Sequence, residues 1–456
     1  MNHSTGIIVA GLQSSSGKTA LTCMLLAALV ERGCLVQPFK VGPDFIDPGY
    51  HTHYAAQVSR NLDSWMMGVD GVRAEILTHG AGRVSVVEGV MGLFDGNEVS
   101  SDAGSAMELA RLMDWPVLLI VPSAKVGRSL AATLRGFLAE AGVGRIAGVI
   151  LNQVSGASHA DYLREAIAPL GIPVLGALPK CELLAWPERH LGLQASQEGA
   201  LPTRVELGRL AEQYIDIPAL LTLLQPAPGA AALPVPTPSR RRIAVARDEA
   251  FHFYYQANLD YLQSQGAELV NFSPLHDRAL PAEIDGCFIG GGFPEVYADA
   301  LAQNQALRTE LRGALRAGLP CYAECGGLML LAEELLTSDG RRYPMVGAVP
   351  GKIEMTAGLQ NFGYCNCSDE TFPGRLHGAP DFRGHEFHYS RWLAEASEAN
   401  LWQVNRKRSG LGRREGFAQA QLRASYVHLH FPTSPAAISN LLDRVPMNTY
   451  RPHSLL

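Results

Sequence analysis

A glycine- and serine-rich loop near the N-terminus places the strongest constraint on the fold. Residues 7–11 form an apolar run typical of a buried parallel strand, and residues 20–30 have the composition of a helix. The loop between them, residues 12–19, ends in Gly-Lys-Thr. A strand, a Gly/Ser loop and a helix in this order form the context that a phosphate-binding loop requires. The sequence therefore predicts an α/β domain that binds phosphates at the N-terminus of its first helix.

The residues of this loop have distinct expected roles. Backbone N–H groups of residues 14–18 would surround the phosphates, Lys18 would neutralise the outer phosphates, and the Thr19 hydroxyl would bind Mg²⁺. A serine-rich turn without a ligand is the alternative, which the flanking strand and helix make less attractive. The predicted ATP-binding residues are Gln13, Ser14, Ser15, Ser16, Gly17, Lys18, Thr19 and Lys40.

Three carboxylates are expected at the same edge of the sheet as the phosphate loop. Asp44 and Asp47 lie in a proline- and glycine-rich stretch, predicted to be an irregular loop, after a strand that ends near Lys40. Glu88 ends another apolar strand, where an acidic residue of a P-loop fold binds Mg²⁺ directly or through water. Aspartates in turns are often simply solvated, which is the alternative for the first two. We predict that Thr19, Asp44, Asp47 and Glu88 form the metal site.

Further strands predict a mostly parallel sheet. Apolar runs at 117–121, 146–153 and 172–179 alternate with helical patterns, as in a doubly wound α/β domain. Asn152, at the end of one of these runs, is a candidate for contacting the nucleotide base.

A proline-rich segment divides the chain. Residues 225–240 contain five prolines without periodicity, which is typical of a semi-rigid linker. The predicted organisation is a P-loop domain at 1–224, the linker, and a second α/β domain at 241–456, in which strand and helix patterns resume.

Cys325 lies in the second domain, where a strand-like run ends and a helix-like pattern begins. On such a turn the sulfur would be presented to a substrate, and the N–H groups of the following glycines would face an anion. A buried structural thiol fits the local sequence equally well. The glycines 290–292 at another strand end would let backbone N–H groups face an oxyanion. His428 and His430, spaced as on one face of a strand, offer a base for the thiol.

Composition excludes several classes of function. The net charge of −6 gives no basic surface for nucleic acid, and no apolar stretch is long enough to span a membrane. We find no signal peptide, and eight unevenly spaced cysteines suit a reducing cytoplasm. Cys365 and Cys367 lack a second pair that could complete a zinc site.

Four sequence blocks carry a resemblance to a known family. They lie at 40–48, 88–96, 323–329 and 384–390. The chain resembles the cobyrinic acid a,c-diamide synthase family from the phosphate loop to the final histidines. Its N-terminal half is similar to dethiobiotin synthetase, which has the same spacing of five residues between the two loop glycines. Its C-terminal half is similar to class I, triad-type glutamine amidotransferases.

The resemblance implies that the second domain hydrolyses L-glutamine. Cys325 would attack the side-chain amide, and His428 would raise its nucleophilicity and handle the proton. The N–H groups of Gly291 and Gly326 would stabilise the tetrahedral oxyanion. Ammonia would then pass through an interior channel to the first domain.

The resemblance also implies an ATP-dependent step in the first domain. Mg-ATP would phosphorylate the a and c side-chain carboxylates of a corrin, cobyrinate, and ammonia would displace phosphate from each acyl phosphate. Lys40, Lys125 and Arg128 are candidates for the positive charge that the acidic substrate needs.

Two departures from the amidotransferase pattern affect these expectations. The usual glutamate two residues after the histidine is replaced by His430, so we expect a Cys-His dyad oriented by a group that the sequence does not identify. Ala323 replaces the glycine that usually begins the turn, which predicts a less forced elbow.

Alternative functions remain at this stage. The same reaction could act on hydrogenobyrinate or Ni-sirohydrochlorin, since nothing in the sequence ligates the macrocycle metal. A different class is a P-loop regulatory ATPase with a degenerate amidotransferase domain, which would have no need to retain Lys18, Thr19, Glu88, Cys325 and His428 together. The oligomeric state is open, with a homodimer as one option.

Overall fold

The computed structural model describes residues 4–186, 188–189, 192–193, 201–227, 241–368, 382–406 and 412–442. The chain divides into two compact units, Met1–Leu233 and Pro234–Leu456. Most of the predicted linker, 228–240, lies outside the described residues. Its first residues belong to the first unit, because Ala227 is buried and donates its N–H to the carbonyl of Ser4.

Among its described residues the first unit has ten strands, and seven of them form the parallel path of its main sheet. The strands are β1 (Thr5–Gly11), β2 (Val36–Val41), β3 (Arg60–Leu62), β4 (Val84–Glu88), β5 (Val117–Pro122), β6 (Ile146–Val154), β7 (Val174–Pro179), β8 (Glu188–Arg189), β9 (Gly192–Leu193) and β10 (Gln225–Pro226). The order along the path is β3-β2-β4-β1-β5-β6-β7, with all neighbours parallel, and β10 pairs antiparallel with β1. Strands β8 and β9 form a separate pair.

Helices cover both faces of this sheet. They are α1 (Lys18–Glu31), α2 (Asp47–Ala55), α3 (Ser64–His79), α4 (Ala106–Met113), α5 (Ser129–Ala141), α6 (Ala157–Ile167), α7 (Arg204–Tyr214) and α8 (Ile217–Leu223). Ile8 and Ala10 belong to one buried cluster, while Ile7 and Val9 belong to another. Alternate residues of β1 thus fill two separate cores, which is how a doubly wound sheet is buried on both faces. The predicted fold class is confirmed.

One local prediction in this unit is wrong. The segment around Asp47 was expected to be an irregular loop, but α2 begins at Asp47 and Pro48 lies in its first turn. Proline is favoured there because its missing N–H would have no helical partner. Asp44 accepts the N–H groups of Ile46 and Asp47 at 2.8 and 3.0 Å and so stabilises the helix start.

The second unit has one large sheet and several small ones. Its strands are β11 (Arg241–Ala246), β12 (Phe251–Phe253), β13 (Ala267–Phe272), β14 (Gly286–Ile289), β15 (Gly291–Gly292), β16 (Cys321–Glu324), β17 (Glu334–Leu336), β18 (Arg342–Pro344), β19 (Lys352–Met355), β20 (Asn361–Ser368), β21 (Phe382–His388), β22 (Ser390–Leu393), β23 (Trp402–Arg406), β24 (Gly412–Glu415), β25 (Phe417–Gln419), β26 (Leu422–Ser425) and β27 (His428–Leu429). The large sheet has the order β13-β11-β14-β16-β26-β25, parallel except at β25. A five-stranded sheet has the order β24-β23-β20-β21-β27.

The helices of the second unit complete its α/β architecture. They are α9 (Gln256–Ser264), α10 (Ala298–Gln303), α11 (Gln305–Arg316), α12 (Gly326–Leu331) and α13 (Ser439–Leu442). As in the first unit, Ala244 and Ala246 of β11 belong to one core and Ile243 and Val245 to another.

Among the described residues, no helix has the length and apolar character needed to cross a membrane.

Candidate active sites

The phosphate loop lies between the end of β1 and the start of α1. Gly17 has a left-handed φ of 86°, and a Cβ there would lie 2.3 Å from Asn152 Nδ2. Only glycine fits both restrictions. Ser16 Oγ donates to the Gln13 carbonyl at 2.7 Å, which closes the loop. Ser15 also has a left-handed φ, of 58°.

Asn152 contacts this loop from the end of β6. Its side-chain Nδ2 donates to the Ser16 carbonyl at 3.0 Å, and the residue is buried. Its contact with a nucleotide base remains a prediction, and this amide N–H donates to the loop backbone.

Lys18 links the phosphate loop to the segment after β4. Its ammonium donates to the carbonyl of Met91 at 2.6 Å and to that of Gln13 at 3.3 Å. Burial lowers the pKa of Lys18, and the charge of Lys40 lowers it further. The sequence block 88–96 and the phosphate loop therefore meet at this lysine.

Glu88 is the centre of a buried polar network. Its side chain is fully buried at the end of β4, next to the ends of β1 and β2. It accepts from Thr19 Oγ1 at 2.9 Å and from Lys40 Nζ at 2.8 Å, and its other oxygen lies 2.6 Å from His51 Nε2. Burial raises the pKa of Glu88, but Lys40 and His51 outweigh burial and hold the pKa well below its usual range.

Lys40 connects Glu88 to the start of α2. Its ammonium lies 2.6 Å from Asp47 Oδ2 and 3.8 Å from Asp44 Oδ2. Burial lowers the pKa of Lys40, but Asp47, Glu88 and Asp44 outweigh burial and raise the pKa. A buried lysine surrounded by carboxylates remains charged.

The structure brings most of the predicted nucleotide and metal residues together. Thr19, Lys40, Asp47 and Glu88 form one network, whereas Asp44 also uses an oxygen to stabilise α2. In the described part of the chain, no three His, Cys, Asp or Glu side chains form a ready-made metal site. The predicted roles of these residues remain predictions.

Two other predictions in this region concern exposed residues. Lys125 and Arg128 lie exposed in the segment between β5 and α5.

Sequence reasoning missed His51, which lies four residues after Asp47. That spacing places both on one face of a helix, but the loop prediction at Asp47 hid the signal.

Cys325 lies on a sharp turn between β16 and α12. Its backbone has φ 50° and ψ −103°, a conformation that L residues rarely adopt, and its N–H donates to the Ser425 carbonyl at 2.7 Å. Such strain is held at functional positions by the surrounding structure. The elbow predicted from the sequence is present, and its backbone is strained with Ala323 two residues before Cys325.

The two predicted oxyanion residues lie against each other, and Gly291 also lies against His428. A Cβ on Gly326 would lie 3.0 Å from the Gly292 backbone nitrogen, and a Cβ on Gly291 would lie 2.8 Å from His428 Cε1. Gly326 is the first residue of α12, so its N–H has no partner within the helix. Cys325, Gly326, Gly291 and His428 therefore occupy one location.

His428 is buried and ionically paired. Burial lowers its pKa, but hydrogen bonds to Cys325 and Glu324 outweigh burial and raise the pKa to about 10. Glu324 Oε2 lies 3.3 Å from His428 Nδ1. The ring of His385 stacks on that of His428 with centroids 5.0 Å apart. Burial and the charge of His428 lower the pKa of His385 well below its usual value.

The backbone at His430 is still extended, but its ring has a different partner from the ring of His428. Strand β27 ends at Leu429, and His430 Nδ1 lies 3.0 Å from Thr433 Oγ1. Burial lowers the pKa of His430 to about 4, so the ring is neutral at pH 7.

Comparison with known proteins identifies the family. Residues 7–193 match a CobQ/CobB/MinD/ParA nucleotide binding domain, and residues 242–436 match a CobB/CobQ-like glutamine amidotransferase domain. Cobyrinate a,c-diamide synthases of Syntrophotalea carbinolica and Dehalococcoides mccartyi are each 42% identical, over 96% of this chain and 98% and 97% of their own lengths. The chain belongs to the cobyrinate a,c-diamide synthase family.

A third relative and one solved structure extend the comparison. The cobyrinate a,c-diamide synthase of Priestia megaterium is 40% identical over 96% of both chains. A crystal structure of a glutamine amidotransferase aligns with 44% of this chain and 98% of its own at 15% identity, with a TM-score of 0.30. Membership of the cobyrinate a,c-diamide synthase family confirms the resemblance predicted from the four sequence blocks.

Proposed function

We propose that this protein amidates the a and c side-chain carboxylates of cobyrinate, using ATP and ammonia released from L-glutamine. The observation that carries the proposal is that one chain contains both a phosphate loop and a strained Cys325 paired with His428. Its relatives over nearly their whole length are named cobyrinate a,c-diamide synthases. Neither site alone would indicate an amidation that couples two reactions.

Glutamine hydrolysis would begin at the thiolate of Cys325. The sulfur attacks the side-chain amide carbon, and the protonated His428 gives its proton to the departing nitrogen, which leaves as ammonia. The N–H groups of Gly291 and Gly326 would stabilise the oxyanion. Water then attacks the thioester with His428 as base, which releases glutamate and restores the thiolate–imidazolium pair.

Activation of the corrin carboxylate would occur at the phosphate loop. A substrate carboxylate oxygen attacks the γ-phosphorus of ATP, giving an acyl phosphate and ADP, and ammonia attacks the acyl carbon and releases phosphate. Residues 13–19 would hold the phosphates, with Lys18 and Lys40 supplying positive charge. Lys125 and Arg128 are exposed and remain candidates for the acidic substrate.

The donors at this site suit Mg²⁺ as the ion that accompanies ATP. The Thr19 hydroxyl lies 2.9 Å from Glu88, and Mg²⁺ prefers hydroxyl, carboxylate and phosphate oxygens. Thr19 and Glu88 would hold the ion, with Asp47 and Asp44 as neighbouring carboxylates. When bound, Mg²⁺ supplies charge neutralisation and alignment of the phosphates.

The cysteines are consistent with a cytoplasmic location. None of the eight, all of which lie in the described residues, forms a disulfide in the structure, which suits a reducing compartment. We therefore infer that the enzyme works in the cytoplasm.

Replacing the nucleophile tests the two-site scheme. In Cys325→Ser, glutamine-supported amidation should fall by about 10³-fold or more, while ammonia-supported amidation should persist because its chemistry does not need the thiol. The measurement is product mass from cobyrinate with Mg-ATP and either nitrogen source. Simultaneous loss of both activities in a folded variant would contradict the scheme.

A substrate panel tests the identity of the macrocycle. Cobyrinate, hydrogenobyrinate and Ni-sirohydrochlorin are compared under the same conditions, and the proposal requires that cobyrinate be amidated most efficiently. Hydrolysis of ATP without amidation of any of the three would instead favour a regulatory ATPase.

A further inference from the structure

We propose that Glu324, the residue immediately before the nucleophile, orients His428 and takes the role of the carboxylate that follows the histidine in other triad-type amidotransferases. The inference rests on the proposed glutamine hydrolysis and names a positioning residue for it.

The contacts of Glu324 fix both of its carboxylate oxygens. Oε1 accepts the backbone N–H of Leu429 at 3.1 Å, and Oε2 lies 3.3 Å from His428 Nδ1. Both Glu324 and His428 have side chains only 3% exposed. One carboxylate therefore holds the backbone of β27 and the imidazole that β27 carries.

This arrangement determines which ring nitrogen faces the sulfur. With Nδ1 directed at Glu324, the remaining nitrogen, Nε2, is available to Cys325. A carboxylate on the far side of the ring keeps the imidazole in that orientation and stabilises its protonated form. Because Glu324 and Cys325 are consecutive, the orienting group and the nucleophile are positioned by the same strand end.

Within the described ranges, the other ionisable neighbours of His428 have different contacts. His430, at the usual position of the carboxylate, bonds to Thr433 and is neutral. His385 stacks on the face of the His428 ring rather than meeting its edge, and burial keeps it neutral. Cys325 is the reacting group itself. Glu415 accepts hydrogen bonds from the Ser425 hydroxyl and from the N–H of Tyr426. Both of these residues precede the strand that carries His428.

The pH dependence follows from the sign of the shift. The raised pKa of about 10 keeps His428 protonated up to that pH. Removing the charge of Glu324 removes one of the interactions that raise this pKa, while the opposing effect of burial stays. The pH at which activity declines on the alkaline side should therefore be lower in a variant without the carboxylate.

The test compares Glu324→Gln with Glu415→Gln in the full chain. Glu415 is a matched control because it is also a buried carboxylate, but its oxygens bond to Ser425 and to the N–H of Tyr426 rather than to His428. Glutamate release is measured between about pH 6 and pH 11, so that the range includes the decline expected for the wild type. For Glu324→Gln we expect kcat to fall by roughly 10- to 100-fold, KM to change less than about threefold, and the alkaline limb to move to lower pH. Glu415→Gln should leave that limb in place.

A second measurement does not depend on turnover. The rate of Cys325 alkylation by iodoacetamide at pH 7 should fall about tenfold in Glu324→Gln, because the imidazolium that pairs with the thiolate is less populated. Glu324→Asp keeps the charge but shortens the side chain, so it should restore part of the rate.

The outcomes separate this inference from the proposed function. An unchanged alkaline limb together with unchanged alkylation in Glu324→Gln would overturn the role of Glu324. Should the wild-type protein fail to amidate cobyrinate, the alkylation result would still decide the role of Glu324. If Glu324→Gln does not fold, the comparison of wild type with Glu324→Asp decides it, and identical alkylation rates and pH limbs would count against the proposal.

Discussion

At the end of β4, Glu88 shares its oxygens among Thr19, Lys40 and His51, whereas at the end of β16 a single histidine is shared between Cys325 and Glu324. In the first network, fixed charges neutralise one another inside the protein. A bound phosphate or metal ion must compete with those bonds. In the second, Cys325 and His428 are the groups that we propose to react, and no bond between them has to be exchanged before chemistry begins. The comparison indicates that ligand binding determines the arrangement of side chains at the first site, whereas backbone geometry determines it at the second.

The largest expected effect separates the two sites by activity. Lys18→Ala should reduce amidation from glutamine and from ammonia by about 10³-fold or more, because the phosphates lose their charge partner. Glutamate release in the same variant is the internal control and should persist. Product mass and glutamate assays measure the two activities. Survival of ammonia-supported amidation would show that the phosphate loop does not activate the carboxylate.

The next effect concerns the stability of the charge network in the first unit. Lys40→Met leaves the buried Glu88 and Asp47 without their cation and should lower the free energy of unfolding by about 3–5 kcal/mol. Adding Glu88→Gln should recover about 2 kcal/mol or more, since an unpaired charge is removed. Urea denaturation measures both variants.

A surface ion pair provides the control for that prediction. Lys352 lies 3.5 Å from Glu334 with half of its side chain exposed, so Lys352→Met should cost less than about 1 kcal/mol. Equal losses in Lys40→Met and Lys352→Met would mean that the buried network does not stabilise the fold.

The smallest expected effect distinguishes the two units by the direction of their pH dependence. The depressed pKa of Glu88 contributes stability above its ordinary pKa of 4.5, and this stability is lost as the pH falls. The raised pKa of His428 contributes stability that is complete below 6.5 and is lost as the pH rises through about 10. Each contribution is expected to be on the order of 1–3 kcal/mol.

Hydrogen exchange in urea, corrected for the intrinsic rate at each pH, can resolve these contributions. Peptides of β4 should lose protection in acid, and peptides of β26 and β27 should lose protection at alkaline pH. Loss in both regions on the same side of neutrality would contradict the assignment of one network to each unit.

The sequence predicted those parts of the sites that local patterns encode. The phosphate loop and the Cys325 elbow each lie between a recognisable strand and helix, so their neighbours along the chain identify them. Asp47 was misjudged because Pro48 and a following glycine resemble a loop, although proline is also common in the first turn of a helix.

Partners distant in sequence could not be predicted in the same way. Glu324 reaches His428 across 104 residues, and His51 reaches Glu88 across 37. Such pairs depend on which strands are neighbours and on the direction of each side chain, and neither follows from one sequence. The missing glutamate after His428 did indicate that another orienting group was needed.

The contact between Asn152 and the phosphate loop has a thermodynamic consequence. The Asn152 side chain on β6 donates to the Ser16 carbonyl and leaves no room for a Cβ at Gly17. The loop is therefore attached to the sheet by a residue far from it in sequence. The conformational entropy of the loop is therefore lost when the domain folds, and little of it remains to be lost when a nucleotide arrives. Phosphate binding at this site therefore has a smaller entropic cost, because the folding of β6 has already ordered the loop.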